Sequence, residues 1–420
     1  MFIKRVQQFL IMAVIAGQLC CQGWYFPGVD IFPAYLLCLV ALTLLSICVL
    51  VSQNRGMIAV KSGFGPLAVL LIINIALVLL ISGKFDIQRF MLITCSFAFC
   101  LGCTQAFCTE DEIKVLLKWY VFVVLISAIV EIGQVFEISF CTELWEKLHV
   151  SSDKITQATE DKRYLGLASD SLQFSYHVTA AFIIVLFMKF KHFSLLKKCV
   201  LFVLFGFALF TNATRSGLIA LFVVVIIRLF TTTGKLNKIQ RVLRLSVSVV
   251  ALGMLFVFVF GSSFISDTRF SDIDGGAEAR LPMILTAFNH ALHYPFGMGV
   301  YSVQPDLIVG SSYATRSLVI SNTAHNLFGN CVASYGFIGL VLMLGLYIWA
   351  YNTYRKKKKL TEDPTIYVIA FCALLGLVIN ASFHNAYILN GELSSFVFFA
   401  IMHTECKKGN MKTSRIGDCN

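Results

Sequence analysis

Charge is scarce in this sequence: 14% of its 420 residues are Asp, Glu, Lys or Arg, against 58% hydrophobic. Soluble domains carry roughly 25% charged residues, so that class is excluded, and the apolar runs reach the ~20 residues that a bilayer crossing needs. A basic stripe or an aromatic nucleic-acid module is also missing. The formal net charge is +11, but Lys and Arg fall in short clusters between apolar runs, where they orient a membrane protein. No nucleic-acid partner is expected. Nor is there a disulfide framework, because most of the 14 Cys lie inside apolar runs (Cys38, Cys48, Cys95, Cys199, Cys372), where a thiol behaves as a small hydrophobe. Cys100 and Cys103 spell C-x-x-C in mid-span without a second pair, which favours packing over a redox or zinc motif. No fixed-period repeat is visible, and RKKKK (Arg355 to Lys359) is the only low-complexity run, an inner anchor near anionic headgroups. The N-terminal FIKRVQQFLIMAVIAGQLCCQG has the charge and apolar core of a signal peptide, but Gly17, Gln18 and Leu19 before Cys20 do not make the small-residue cleavage site. An uncleaved first span is expected.

What is present predicts an all-α polytopic membrane protein, a single membrane domain over 1–420 with about twelve transmembrane helices. They begin near Val6, Ile31, Pro66, Phe90, Val115, Phe174, Cys199, Gly217, Leu245, Leu327, Thr365 and Ile388. Basic clusters at Lys4 and Arg5, Arg55 and Lys61, Lys189 to Lys198, Lys235 to Arg244, Arg355 to Lys359, and Lys407 with Lys408 then share the cytoplasmic side. Both ends are inside by this count. Residues 137–172 form an outer loop, and 261–326 form a large outer loop between the ninth and tenth spans, roughly 65 residues, far above the usual loop length. Two features run against the orientation: CTEDEIK (Cys108 to Lys114) is acidic yet inside, and Lys84 with Arg89 are basic yet outside. Acidic residues contribute little to orientation, so the larger basic clusters decide.

Three polar positions stand at outer span ends. Arg215 opens the eighth span after Thr211, Asn212 and Thr214, residues suited to helix caps. A helix entrance favours anions through its free backbone NH groups, and a guanidinium adds a fork that fits phosphate oxygens. The plainer role is an interfacial Arg that snorkels to headgroups. Arg280 precedes Pro282, which suits a first helical turn, and Leu281, Ile284, Leu285, Phe288 and Leu292 recur at helical spacing on one face. That helix lies on the membrane or on the bundle, and Pro295, Gly297 and Gly299 end it with a turn that lets backbones approach closely. His325 stands at the entrance of the tenth span, with Thr323 as its cap and Asn326 beside it. Positive helix ends and nearby Arg disfavour imidazolium, which leaves a neutral histidine able to accept a proton, as a general base must. Asp272 and Asp274 form D-x-D, read either as a metal motif or as a turn among Ser271, Gly275 and Gly276. Glu131 and Glu392 are carboxylates inside predicted spans, a costly placement that hints at function or at a hydrogen-bonded packing contact.

Through TRSGLIAL, R-x-x-x-I followed by HYPFGMGVYS, and AHNLFGNCVASYGFIGL, the chain resembles the bacterial O-antigen ligase and polysaccharide polymerase superfamily. KRYLGLASDSLQFSYH (Lys162 to His177) resembles that family's Arg-containing stretch before the sixth span. The resemblance implies a metal-independent, GT-C-like glycosyltransferase of lipopolysaccharide or related surface-polysaccharide biosynthesis, with no cofactor. It acts at the outer face of the bacterial cytoplasmic (inner) membrane, taking a glycan from an undecaprenyl diphosphate carrier to an acceptor glycan or glycolipid. Arg215 and Arg280, with Arg163 as a third candidate, would hold the diphosphate, and His325 would activate the acceptor hydroxyl. His384, in SFHNAY, is the rival base. Displacement at an anomeric carbon needs leaving-group charge stabilised and the incoming oxygen deprotonated, and cationic side chains supply the first. The competing class is a polysaccharide or lipid transporter or flippase, which predicts related halves and helices broken at mid-depth.

Overall fold

The computed structural model describes residues 2–22, 24–26, 29–53, 64–82, 87–148, 164–169, 171–188, 195–212, 214–231, 273–297, 299, 307–309, 324, 326–361, 363–383 and 391–404. Among them lie α1 (Phe2–Cys20), α2 (Ala34–Gln53), α3 (Phe64–Ile81), α4 (Ile87–Ala106), α5 (Glu110–Val135), α6 (Ser139–Leu148), α7 (Ser171–Phe187), α8 (Leu195–Thr211), α9 (Arg215–Thr231), α10 (Ile273–His293), α11 (Leu327–Leu360), α12 (Thr365–Ala381) and α13 (Leu393–His403). A short antiparallel pair, β1 (Tyr25–Phe26) and β2 (Val29–Pro33), joins α1 to α2. Every predicted apolar run within the described residues is helical; the one starting near Leu245 lies outside them. Helices α2, α3, α4, α5 and α11 are long and apolar enough to cross a membrane, and α7, α9, α12 and α13 are apolar but shorter. Two further helices occupy the expected outer loops: α6 within 137–172 and α10 within 261–326.

Burial sorts these helices into layers. On α3, Leu71, Ile75, Val78 and Leu79 are buried, while Val69, Leu70, Ile73, Leu77 and Leu80 are exposed, the pattern of a helix with one face on protein and one on lipid. Helix α13 is different, since every residue from Leu393 to Met402 is buried. Its 11 residues extend about 16 Å, short of the ~30 Å hydrocarbon core, a length workable only for a helix enclosed by others. The enclosing contacts are aromatic: Phe396 meets Phe97 edge-on at 4.9 Å between centroids, Phe398 meets Tyr120 at 5.9 Å, and Phe399 meets Phe64 at 5.9 Å and Tyr347 at 5.7 Å. The Cys100 thiol donates to the Phe396 carbonyl at 3.3 Å, and Cys100 and Cys103 are both buried, in keeping with packing roles.

One end of the bundle carries Lys4 and Lys357, which belong to two of the basic clusters. Lys4 Nζ lies 2.5 Å from Glu112 Oε1, and Lys357 donates to the Thr404 carbonyl at 3.2 Å. Glu112 also closes a capping box, its carboxylate accepting from the Thr109 and Cys108 backbone NH groups while Thr109 Oγ1 accepts from Glu112 N. The acidic CTEDEIK connection therefore has a structural reason to sit beside Lys4: it caps α5 and neutralises an N-terminal lysine.

Helix α11 is broken at Gly336, whose φ of 68° and ψ of −172° are not helical. Tyr354 stacks on Phe371 at 4.5 Å between centroids. From that pair, Ser382 lies 11 residues up α12 and Asn326 lies 28 residues back along α11. Straight helices would carry those residues about 16 and 42 Å away respectively, yet Asn326 Nδ2 donates to the Ser382 carbonyl at 2.5 Å. The two paths close only because the break lays residues 327–335 back across the end of the bundle.

Candidate functional site

The site is built from helix ends opposite the Lys4–Glu112 end. Helices α7, α9 and α11 open towards that end and turn the positive ends of their dipoles to it. At the α5–α8–α9 corner, Asn212 Nδ2 donates to the Tyr164 carbonyl at 2.6 Å, and the Thr214 hydroxyl donates to Asn212 Oδ1 at 2.5 Å. The Thr214 carbonyl accepts from Gly217 N at 3.1 Å and Leu218 N at 3.4 Å. Thr211 donates to the buried Glu131 carboxylate. Arg215 is thus the first residue of α9, held on a turn whose three preceding described side chains are all engaged. Its side chain lies outside the described residues. Arg163 also lies outside them; the carbonyl of the next residue, Tyr164, is bonded to this same turn.

At the α7–α11–α12 corner, Asn380 Nδ2 donates to Ser175 Oγ at 3.0 Å. A Cβ on Gly217 would meet Ser175 Cβ at 3.3 Å, so α9 passes α7 closely at this serine. Asn326 reaches Ser382 in the next turn of chain after Asn380. His325 and His384 lie outside the described residues. Both neighbours of His325 are fixed: Ala324 N donates to Asn330 Oδ1 at 2.6 Å, and Asn326 Oδ1 accepts from Phe328 N and Gly329 N, both at 3.0 Å. The helix cap is therefore Asn326, not the expected Thr323, because the helix starts at Leu327 and only Asn326 stands two and three residues before its free NH groups.

Helix α10 corrects one expectation. It begins at Ile273 rather than at Arg280, with Pro282 inside it; Arg280 is within this helix, its side chain outside the described residues. Its packed face carries small residues, for Ala287 and Ala291 cluster with Ala324 and Val332, while Leu281, Leu285 and Leu292 are exposed. Small side chains allow the close approach to α11, and a Cβ on Gly329 would meet Ala324 Cβ at 2.9 Å and Ala287 Cβ at 3.6 Å. The leucine face is left for lipid. The turn after α10 then docks at the α11 break: Phe337 N donates to the Pro295 carbonyl at 3.0 Å, and Gly299 N to the Ser334 carbonyl at 3.0 Å. Gly297 and Gly299 have φ of 90° and 69°, the backbone freedom that the sequence pattern called for. Asn74 Nδ2 supplies the Tyr335 carbonyl with a donor at 3.1 Å. The polar groups freed by the break are thereby satisfied from α3 and from the Pro295–Gly299 turn.

Below these corners lies a buried polar network of which sequence reading named only Glu392. Gln173 Nε2 donates to Glu392 Oε1 at 2.7 Å, and Gln18 links α1 to α13 through Leu393 N and the Gly391 carbonyl. His177 Nδ1 is 2.8 Å from Ser394 Oγ and 3.4 Å from Tyr120 Oη, and its Nε2 is buried with no hydrogen-bond partner among the described residues. Polar side chains inside the runs SLQFSYH and VINAS were the available signal, since a polar group in lipid depth is costly without a partner or a purpose. Asp272 lies outside the described residues, and among those described no group of three His, Cys, Asp or Glu is placed to hold a metal ion.

A search of the curated proteins finds no match. A family model described as O-Antigen ligase matches residues 200–344, from α8 into α11. That segment contains Arg215, Arg280 and His325 together with the α10–α11 docking turn. The match covers about a third of the chain and supports the resemblance to the O-antigen ligase and polymerase superfamily that the motifs TRSGLIAL and AHNLFGN carry.

Proposed function

We propose that the protein transfers a glycan from an undecaprenyl diphosphate carrier to an acceptor sugar at the outer face of the cytoplasmic membrane, in surface-polysaccharide biosynthesis. Arg215 and Arg280, with Arg163, neutralise the diphosphate leaving group, and His325 takes the proton from the acceptor hydroxyl as the anomeric bond breaks. No metal takes part in this reading. The observation that carries it is the coincidence of two facts: the O-antigen ligase match covers all three of Arg215, Arg280 and His325, and the flanks of two of them bond into one group of helix ends. Tyr164, Asn212 and Thr214 fix the Arg215 side, while Asn326, Ser382, Asn380 and Ser175 lead back from the His325 side to α9 at Gly217. The N-termini of α7, α9 and α11 turned towards that end add a positive field suited to a diphosphate.

A flippase is the second reading, and the break at Gly336 favours it, because broken helices mark transporter sites. Here, however, the break is occupied by the Pro295–Gly299 turn and by Asn74. Purified protein given a lipid-linked glycan donor and an acceptor in EDTA decides between them. New glycosidic bond and released carrier diphosphate are expected; movement of lipid-linked glycan between leaflets with no new bond would favour the flippase. The glycan profile of a deletion strain then separates the two transferase types. Loss of all attached polymer marks a ligase, and single-repeat attachment marks a polymerase.

A further inference from the structure

The end of α5 carries an apolar surface that the chemistry just described does not use. Along α5, Phe122, Ile126 and Ile129 form one exposed face, and Phe136 continues it past the last turn. The chain then reverses. Glu137 takes a left-handed conformation with φ of 55°, and Ile138 N donates to the Gly133 carbonyl at 2.9 Å, a helix ending that glycine more often supplies. Helix α6 folds back over Gly133, where an added Cβ would collide with the Cys141 sulfur. Its Trp145 is buried against the protein, and Glu143, Glu146 and Lys147 are exposed. The reversal leaves Phe136 68%, Ile138 51% and Phe140 66% exposed, three large apolar side chains at alternate positions of one tight turn.

The depth of this turn follows from helix length. Phe136 lies 24 residues beyond Glu112, the partner of Lys4 at the opposite pole. That is about 36 Å of helix, or roughly 34 Å along the membrane normal at the usual ~20° tilt, against a hydrocarbon core of ~30 Å. The backbone of the turn therefore stands at headgroup level, within one side chain's length of the acyl chains. A contiguous apolar patch there needs a partner. Three side chains offer only roughly a few hundred Å², well short of the ~800 Å² that each partner gives to a stable protein interface. Lipid fits instead, because the patch is the end of a stripe on a membrane span.

We propose that the turn from Phe136 to Phe140 is a lipid-anchoring surface, its three apolar side chains inserted among the acyl chains of the leaflet at this pole while the charged side of α6 faces water. The anchor sets the depth of a whole corner. Gln134, beside the turn, accepts from Gly166 N at 2.9 Å and donates to the Gly166 carbonyl at 3.0 Å, and Trp145 donates to the Ala168 carbonyl at 2.7 Å. The Tyr164 carbonyl is in turn held by Asn212. Segment 164–168 and the turn before Arg215 are thus tied to the headgroup level, whatever reaction the protein performs.

Photocrosslinking of the full-length protein in its own membrane tests this, with p-benzoylphenylalanine in place of Phe140. Ile129 on the α5 stripe and Glu146 on the outer side of α6 take the same probe as references. The expected result is a mass shift of one phospholipid at Phe140, with a yield like that at Ile129, and no lipid adduct at Glu146. An adduct to a second copy, to another protein or to another segment of this chain overturns the proposal. So does the absence of any adduct at Phe140 beside a lipid adduct at Ile129, which puts the turn in water. Lipid adducts at neither position remove the acyl-facing stripe and the proposal with it. Should the Phe140 substitution fail to insert, the probe at Phe136 decides by the same outcomes. Crosslinking needs no turnover, so a lipid adduct in a protein that fails the transfer assay keeps the anchor and removes only the proposed reaction.

Discussion

A histidine one residue ahead of a helix cap is held by its neighbours, whatever its own side chain does. The hydrogen bonds of Ala324 to Asn330 and of Asn326 to Phe328, Gly329 and Ser382 fix the backbone on both sides of His325. His325→Ala should therefore fold normally and lose transfer by about 10²–10⁴-fold, the usual contribution of a general base, while binding of a short-chain polyprenyl diphosphate persists because the arginines are intact. A His325→Ala protein with normal transfer beside an inactive His384→Ala protein would move the base to His384. The arginines call for a different substitution. Arg215→Lys and Arg280→Lys keep the charge but lose the planar fork, and each should cost about tenfold or more in kcat/KM, the worth of one charge-assisted hydrogen bond. Full activity of both lysine variants in the transfer assay would remove the bidentate role.

Among the elements, the α10–α11 junction is the one whose sequence reads most directly as structure. HYPFGMG and SYG each place glycine where one backbone passes another, and the observed contacts meet at Gly297, Gly299 and Gly336. A Cβ on Gly336 would lie 2.1 Å from the Pro295 carbonyl oxygen, at a φ of 68°. Gly336→Ala should then destabilise the protein by about 2 kcal/mol or more, seen as a lowered Tm in detergent. Asn74→Leu, which leaves the Tyr335 carbonyl without its donor, should cost about 1–3 kcal/mol. A Gly336→Ala protein as stable as wild type would mean that the α11 break is not required. The apolar runs and the close turn after α10 were legible because each depends on local composition. The break in α11 was not, since AHNLFGNCVASYGFIGL scans as one continuous helix and only the distant Asn74 and Pro295 make the break tolerable. The Gln173–Glu392 and His177–Ser394 contacts were hidden for the same reason: each joins residues more than 200 positions apart, and sequence spacing carries no record of that meeting. On α10 the leucine spacing left membrane and bundle open as partners, and Ala287 and Ala291 make the protein contact while Leu281, Leu285 and Leu292 stay exposed.

For the whole molecule the quantity to test is sidedness, which the basic clusters predict and for which the packing separates two poles. Lys4 with Glu112, and Lys357 with Thr404, join the starts of α1 and α5 and the ends of α11 and α13 at a single pole. The Tyr164, Asn212, Asn326 and Ser382 contacts lie at the opposite pole. The basic clusters predict that RKKKK lies at the cytoplasmic headgroups, where each basic residue gains about 1 kcal/mol from anionic lipid, and that the start of α10 lies outside. The arrangement also removes the objection raised by CTEDEIK, whose Glu112 neutralises Lys4 rather than competing for orientation. Reporter domains fused after Lys359 and within Ser271 to Gly276 should consequently be active on opposite sides of the membrane, the first cytoplasmic and the second exported. Two fusions reporting the same side would break the alternation, move the helix ends around Arg215 and Asn326 to different faces, and leave a lipid-linked donor no single surface on which to meet both.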